Sequence, residues 1–316
     1  MGARNRLFAV MVFGFVLLAM PSAGLGVAWP SAADDLGRSL AELGLVTFAY
    51  GGGYTVSTLL SGGLTRRLTT GPMLIAAGLL SATGLAVLVV TSNWAVFLIA
   101  VFTASSAGGL IDAGTNSYVA IRRGARSMGI LHAGYGIGAA LGPLLVTLLL
   151  AAGSSWRVAF GALAVANVVL AGALYLSRAT IEPVAIASAR TGAPGKARVV
   201  GLSVATFFFY AGVSAGTGIW AFSLLTEGRG FGDATAGLAV TAYWAGLTVS
   251  RILLGFIGDR VDPNRVLTVS AVATVGGLIL FWLEPTPWLG ISGLVFSGFA
   301  HGPIFPLEIL LTATRF

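Results

Sequence analysis

Of 316 residues, 56% are hydrophobic and only 9% charged, with a mean hydropathy of +0.92, which excludes a chain that keeps its whole surface in water and points to lipid as the solvent. The absence of cysteine excludes disulfides, thiol catalysis and thiolate metal sites. The formal charge of +7 falls in short gaps between apolar runs, not in an aromatic-interleaved patch, so it marks topology and not a nucleic-acid surface.

A membrane helix takes about 20 mostly apolar residues. Ten such runs are predicted, over residues 7–29, 40–62, 72–91, 94–120, 127–152, 156–178, 200–226, 233–257, 266–283 and 287–312. The first follows Arg4 and Arg6 and is too long for a signal-peptide core, so it is read as a retained helix. Assigning Lys and Arg to alternate gaps puts 15 on one side, and only Arg38, Arg157 and Arg229 on the other. The positive-inside rule then places the N-terminus and the 63–71 and 121–126 loops in the cytoplasm. The longest break, with Glu182, Pro183, Pro194, Gly195 and Lys196, reads as a cytoplasmic linker over 181–199. It separates a six-helix bundle, residues 1–180, from a second bundle, residues 200–316. Shifted by 193 positions, Ser39–Arg67 matches Gly232–Arg260 at 12 of 29 pairs, Tyr50/Tyr243 and Gly53/Gly246 among them, where chance gives roughly three. An all-α, polytopic two-bundle protein is therefore expected, with ten helices present of the twelve its own repeat implies. The 45 glycines supply the small residues that membrane helices use to approach one another.

Asp112 is the sharpest chemical signal. It lies roughly 13 Å from the cytoplasmic end of the fourth run, near the bilayer midplane. A charged carboxylate there costs on the order of 3 kcal/mol and usually marks a transport path. Asn116, one turn away, can bond a substrate hydroxyl or orient Asp112. His132 enters the fifth run to similar depth, so an Asp112–His132 proton relay is expected. His301, Phe305 and Glu308 share one face of the tenth run, where Pro303 and Pro306 remove backbone donors, as in the broken helices that line transporter cavities. Tyr50, Tyr135, Tyr210, Tyr243 and Trp244 are candidates to stack on a sugar ring. No phosphate-cradling loop, paired-His spacing or activated Ser is present, so no catalytic residue, metal or cofactor is expected.

Two six-helix halves joined by a cytoplasmic linker resemble the major facilitator superfamily. The loop after the eighth run carries a pattern similar to that superfamily's signature: Gly255, Asp259, Arg260 and Arg265, with Arg251 one turn earlier. The resemblance implies a cytoplasmic gate, in which Gly255 lets helices close and Asp259 pairs with nearby cations. The first-half loop keeps Gly62 but has Arg66 where the acid belongs. Gly109-Leu-Ile-Asp112-Ala-Gly-Thr-Asn116, Leu131-His132-Ala-Gly-Tyr135-Gly-Ile-Gly138 and Phe305-Pro306 are similar to the fucose-permease-like branch of proton-coupled sugar carriers, which implies a proton-coupling role for the acid at Asp112. That branch often carries Glu where this chain has Ser214. Gly138-Ala-Ala-Leu-Gly142-Pro143 also resembles the fifth-helix motif of drug antiporters. The expectation is a secondary transporter of the cell (inner) membrane, working on a small solute and a proton in a lipid bilayer. An efflux antiporter and a non-transporting receptor on the same fold are the alternatives.

Overall fold

A computed structural model describes residues 2–123, 125–182, 197–257 and 260–315. Eleven α-helices account for most of it: α1 Ala3–Leu36, α2 Leu43–Leu68, α3 Thr70–Val90, α4 Trp94–Arg122, α5 Ala125–Ala151, α6 Trp156–Leu176, α7 Ala197–Ser223, α8 Asp233–Ile257, α9 Pro263–Leu283, α10 Pro287–His301 and α11 Ile304–Arg315. No strand occurs among the described residues. Among the described residues, counting α10 and the start of α11 together, nine spans are long and apolar enough to cross a bilayer. The tenth expected span, α2, falls short because its glycines, serines and threonines dilute its hydropathy. Its 26 residues still give about 39 Å of helix, more than the hydrocarbon thickness.

Local chemistry sets the ends. Asn93, Asp262 and Thr286 each accept a backbone N–H at the start of α4, α9 and α10, and Pro263 and Pro287 occupy first-turn positions where no amide donor is needed. Gly37, at φ 61°, closes α1. The expected 63–71 loop is replaced by helix up to Leu68 and a single linking residue, Thr69, at φ 62°. The first helix runs beyond the expected 7–29 at both ends, carrying Pro21 and Pro30 within it. The tenth run is broken as its prolines predict, at Gly302–Pro303 between α10 and α11.

Glycines make the tightest seams. On α5, Gly134, Gly138 and Gly142 recur every four residues and lie against Val12, Val16 and Met20 of α1, which recur at the same interval; at Gly138 and Gly142 the contact is backbone to backbone. This is close packing of the kind small residues permit in lipid, and it accounts for the Gly138–Gly142 motif without a drug-antiporter role. The α5–α8 contact pairs Gly136 with Thr248 and Thr147 with Gly237. The α1–α7 crossing sets Gly26 on the Ile219 carbonyl. These two residues are 193 apart, so α1 and α7 cross at equivalent points of the sequence repeat. The repeat is visible again where Gly53 meets α4 at Phe102 and Ser105, and Gly246 meets α10 at Val295 and Phe299.

The end away from the N-terminus is sealed by aromatics: Trp29, Trp94, Phe97, Trp156 and Phe160 form a chain of ring contacts at 5.7–6.5 Å. All three cations on this sparsely basic side are paired. Arg38 meets Glu42 at 3.5 Å, Arg157 meets Asp35 at 3.4 Å, and Arg229 meets Glu284 at 2.5 Å. Arg157 also donates to the carbonyls of Val89 and Thr91, satisfying the open end of α3. Between α7 and α9, Trp220, Leu224, Val275, Ile279 and Trp282 line an apolar groove.

Candidate functional site

Asp112 lies on α4, ten residues before the helix ends at Arg122, about 15 Å along the axis. Tyr54 on α2 donates its hydroxyl to Asp112 Oδ2 at 2.7 Å, and Asn116 donates Nδ2 to Oδ1 at 2.9 Å. Both carboxylate oxygens are therefore engaged, and the group is half-buried. The α2–α4 packing that positions it is made possible by Gly109, where a side chain would collide with Ser57 and Thr58. Asn116 Oδ1 is buried with no hydrogen-bond partner, leaving one acceptor beside Asp112. Tyr50, one turn before Tyr54, is within electrostatic reach of Asp112.

Sequence reasoning missed Tyr54. Its signal was available: Tyr50 and Tyr54 share one helix face at an interval of four, and that face packs on the helix bearing Asp112. The expected Asp112–His132 pair does not form. No hydrogen bond joins them; His132 instead sits edge-on to Phe15, ring centroids 5.7 Å apart, and 6.4 Å from Phe305. Depth along two helices is similar for the two residues, but the faces they present differ.

A second cluster lies across the interior, on α7, α8, α10 and α11. The ring of His301, 2% exposed, stacks on Tyr210 at 4.3 Å and 3°, and neither ring nitrogen meets a partner in hydrogen-bonding geometry. Phe305 packs against both Tyr210 and Phe207 at 5.6 Å. Tyr135 on α5 stands between the two clusters, within electrostatic reach of Asp112 and Tyr50 on one side and of Arg251 and Tyr210 on the other. Glu308 is buried. Tyr243 and Trp244 are also buried in helix contacts, Tyr243 against Gly298 and beside Ser214 and Thr217, Trp244 against Gly218. Neither presents an open face to a solute.

The described residues expected to form a gate fall in different surroundings. Gly255 has nothing within 4 Å of where a side chain would begin, so no helix closes on it here. Asp259 lies outside the described residues. Arg260 and Arg265 are exposed, while Arg251 turns inward, donating to the Tyr210 hydroxyl at 2.7 Å and the Gly302 carbonyl at 3.1 Å. The reason is the position of Arg251 on α8: its face meets α7 and α10 and not the loop. At the N-terminal end, ion pairing centres on Glu182, which bridges Arg4 at 2.9 Å and Arg122 at 2.8 Å. The Arg4 hydrogen bond and the Arg122 charge hold its carboxyl below the usual glutamate value.

Comparison with known proteins agrees with this architecture. The chain is 27% identical over 118 residues to the glucose/mannose transporter GlcP of Bacillus subtilis, covering 37% of this chain and 29% of that protein. It is 35% identical over 78 residues to bypass of stop codon protein 6 of Saccharomyces cerevisiae, covering 24% and 16%. These matched segments thus span less than a third of either relative. Among solved structures, a bacterial homologue of the lysosomal transporter Spinster, inward-facing, aligns with TM-score 0.77 at 15% identity, over 98% of this chain and 75% of its own. A D-xylose–proton symporter aligns with TM-score 0.74 at 14%, over 99% and 83%. The transporter FucP in its outward conformation aligns with TM-score 0.64 at 17%, over 96% and 83%. The family model for the Major Facilitator Superfamily matches residues 11–316, and this chain is a multi-pass membrane protein belonging to that superfamily of transporters.

Proposed function

We propose that the protein is a secondary active transporter that moves a small polar solute, a sugar or similar metabolite, by alternating access coupled to protons at Asp112. The observation that carries this reading is the half-buried Asp112 carboxylate at mid-depth, held by Tyr54 and Asn116 next to an unused acceptor on Asn116. A membrane-embedded acid with oriented donors is suited to gain and lose a proton as its surroundings change. The glucose and mannose named for the B. subtilis relative support a sugar-like solute. In this reading residues 1–180 and 200–316 form two bundles joined by a 181–199 linker, and the contact between Gly26 and Ile219 lies near the axis relating them.

The N-terminus is proposed to face the cytoplasm of a cell-membrane protein. The bias of Lys and Arg, 15 on one side against Arg38, Arg157 and Arg229 on the other, supports this. An efflux antiporter gains nothing specific, since the glycines that suggested it are spent on α1–α5 packing.

The test is uptake into proteoliposomes under an imposed proton gradient, comparing wild type with Asp112→Asn. Symport predicts that gradient-driven accumulation is lost while solute exchange persists. Equal accumulation by both proteins would remove Asp112 from the mechanism.

A further inference from the structure

Arg251 is a partly buried cation that turns inward from α8. Two of its donors are fixed, Nε on the Gly302 carbonyl and Nη2 on the Tyr210 hydroxyl, and the guanidinium stands 5.9 Å from the Phe305 ring. Among the described residues no carboxylate comes within ion-pair distance of it. The side chain is only partly buried. It is close enough to His132 and Tyr135 of the first half, and to Tyr243 and His301 of the second, to act on each electrostatically. A cation turned into a helix bundle without an ion pair among the described residues is costly and rarely retained for packing alone.

The repeat gives the arrangement a second meaning. In the first half a side chain on Gly109 would meet Ser57, and in the second a side chain on Gly302 would meet Ser250. Both pairs are related by the same 193 positions, so α2–α4 and α8–α10 build one scaffold twice. On the first copy the charged group is Asp112. On the second copy that position is Phe305, and the charge is Arg251, at the place of Thr58. Two half-sites of opposite sign thus stand on equivalent scaffolds, with Tyr135 in electrostatic reach of both.

We infer that the transported solute is anionic, a sugar or polyol bearing a carboxylate or phosphate, whose acid group is bound by Arg251 while its hydroxyls are read by Asn116 and the tyrosines. This rests on the transporter reading above. A guanidinium already held by two bonds keeps its fork pre-oriented and matches the two oxygens of such a group. The surrounding low dielectric strengthens the contact. His301, almost fully buried with both ring nitrogens unpartnered, supplies a further donor to the same acid from the ring stacked on Tyr210.

The experiment is equilibrium binding to the purified full-length chain in detergent, with D-glucose, D-glucuronate and D-glucose 6-phosphate as probes. The expected result is at least tenfold tighter binding of one anionic probe than of glucose, weakening as salt is raised; which anion binds separates carboxylate from phosphate. Arg251→Gln should reduce this preference to twofold or less, and Arg251→Lys should retain part of it. Equal or absent binding of all three probes by wild type overturns the inference, as does a preference that survives Arg251→Gln. The wild-type comparison decides the matter even where the variants fail to fold. Proton-driven flux through Asp112 is measured separately, so failure of the anion assignment is distinguishable from failure of the transporter reading.

Discussion

Gly138→Ala isolates the cost of parting α1 from α5. A methyl there would stand 2.8 Å from the Val16 carbonyl carbon and closer still to its oxygen, whereas an ordinary carbon–oxygen contact is about 3.3 Å or more. The obstacle is backbone, so no rotamer change relieves it and the helix axes must separate. Overpacking of this kind costs about 1–3 kcal/mol. Ala also gains up to about 1 kcal/mol over Gly in helix propensity, and Gly172→Ala, in open space on α6, receives that gain without the clash. The difference between the two variants therefore isolates the seam: about 1–3 kcal/mol, or roughly 5- to 150-fold in the folded-to-unfolded ratio. Gly134→Ala should fall between them, because its methyl meets chiefly the movable Val12 side chain at 2.9 Å. Equilibrium unfolding in mixed micelles, followed by the intrinsic fluorescence of the seven tryptophans, measures all three. Stabilities for Gly138→Ala and Gly172→Ala within about 0.5 kcal/mol of each other would refute the reasoning.

Three further outcomes are expected. Glu284→Gln removes the counter-ion of Arg229, whose side chain is 11% exposed, so it should cost about 3–5 kcal/mol by leaving a buried charge unpaired; Arg229→Met with Glu284→Gln should recover part of that, and strictly additive losses in the same unfolding assay would contradict the pairing. Tyr54→Phe deletes the 2.7 Å bond to Asp112, a contact to a charged group in the range of about 1.5–3 kcal/mol, and should lower proton-driven uptake tenfold or more; uptake equal to wild type would remove Tyr54 from the site. Glu182 sits below its ordinary value of 4.5 because of Arg4 and Arg122, so its stabilising contacts are complete above that pH and are lost as acidification protonates it. Glu182→Gln should flatten that acid arm of the stability profile, and an unchanged profile would show the contacts to be inconsequential.

Much of the fold was legible because lipid leaves few choices. Long apolar runs with cations in alternate gaps admit little but a polytopic helical bundle, and the Tyr50/Tyr243 and Gly53/Gly246 matches already held its internal repeat. What periodicity could not give was azimuth. Asp112 and His132 lie at similar depths, yet rotation about α4 and α5 turns one toward Tyr54 and the other toward Phe15 and Phe305. Arg251 was read with the loop that follows it, since a one-dimensional motif cannot say which helical face meets α7 and α10. Tyr243 and Trp244 were equally ambiguous, because an aromatic suited to stacking on a ligand is equally suited to filling a gap between helices.

The seam between α5 and α8 differs in kind from the one between α1 and α5. At its two glycine contacts the facing residue is a threonine, and each hydroxyl is already committed to its own helix: Thr248 to the Trp244 carbonyl and Thr147 to the Pro143 carbonyl, both at 2.8 Å. At neither point does a polar bond cross from one helix to the other. Parting α8 from α5 at these two points therefore gives up threonine side-chain packing and no hydrogen bond, whereas at Gly138 and Gly142 it is the α1 backbone itself that fills the notch.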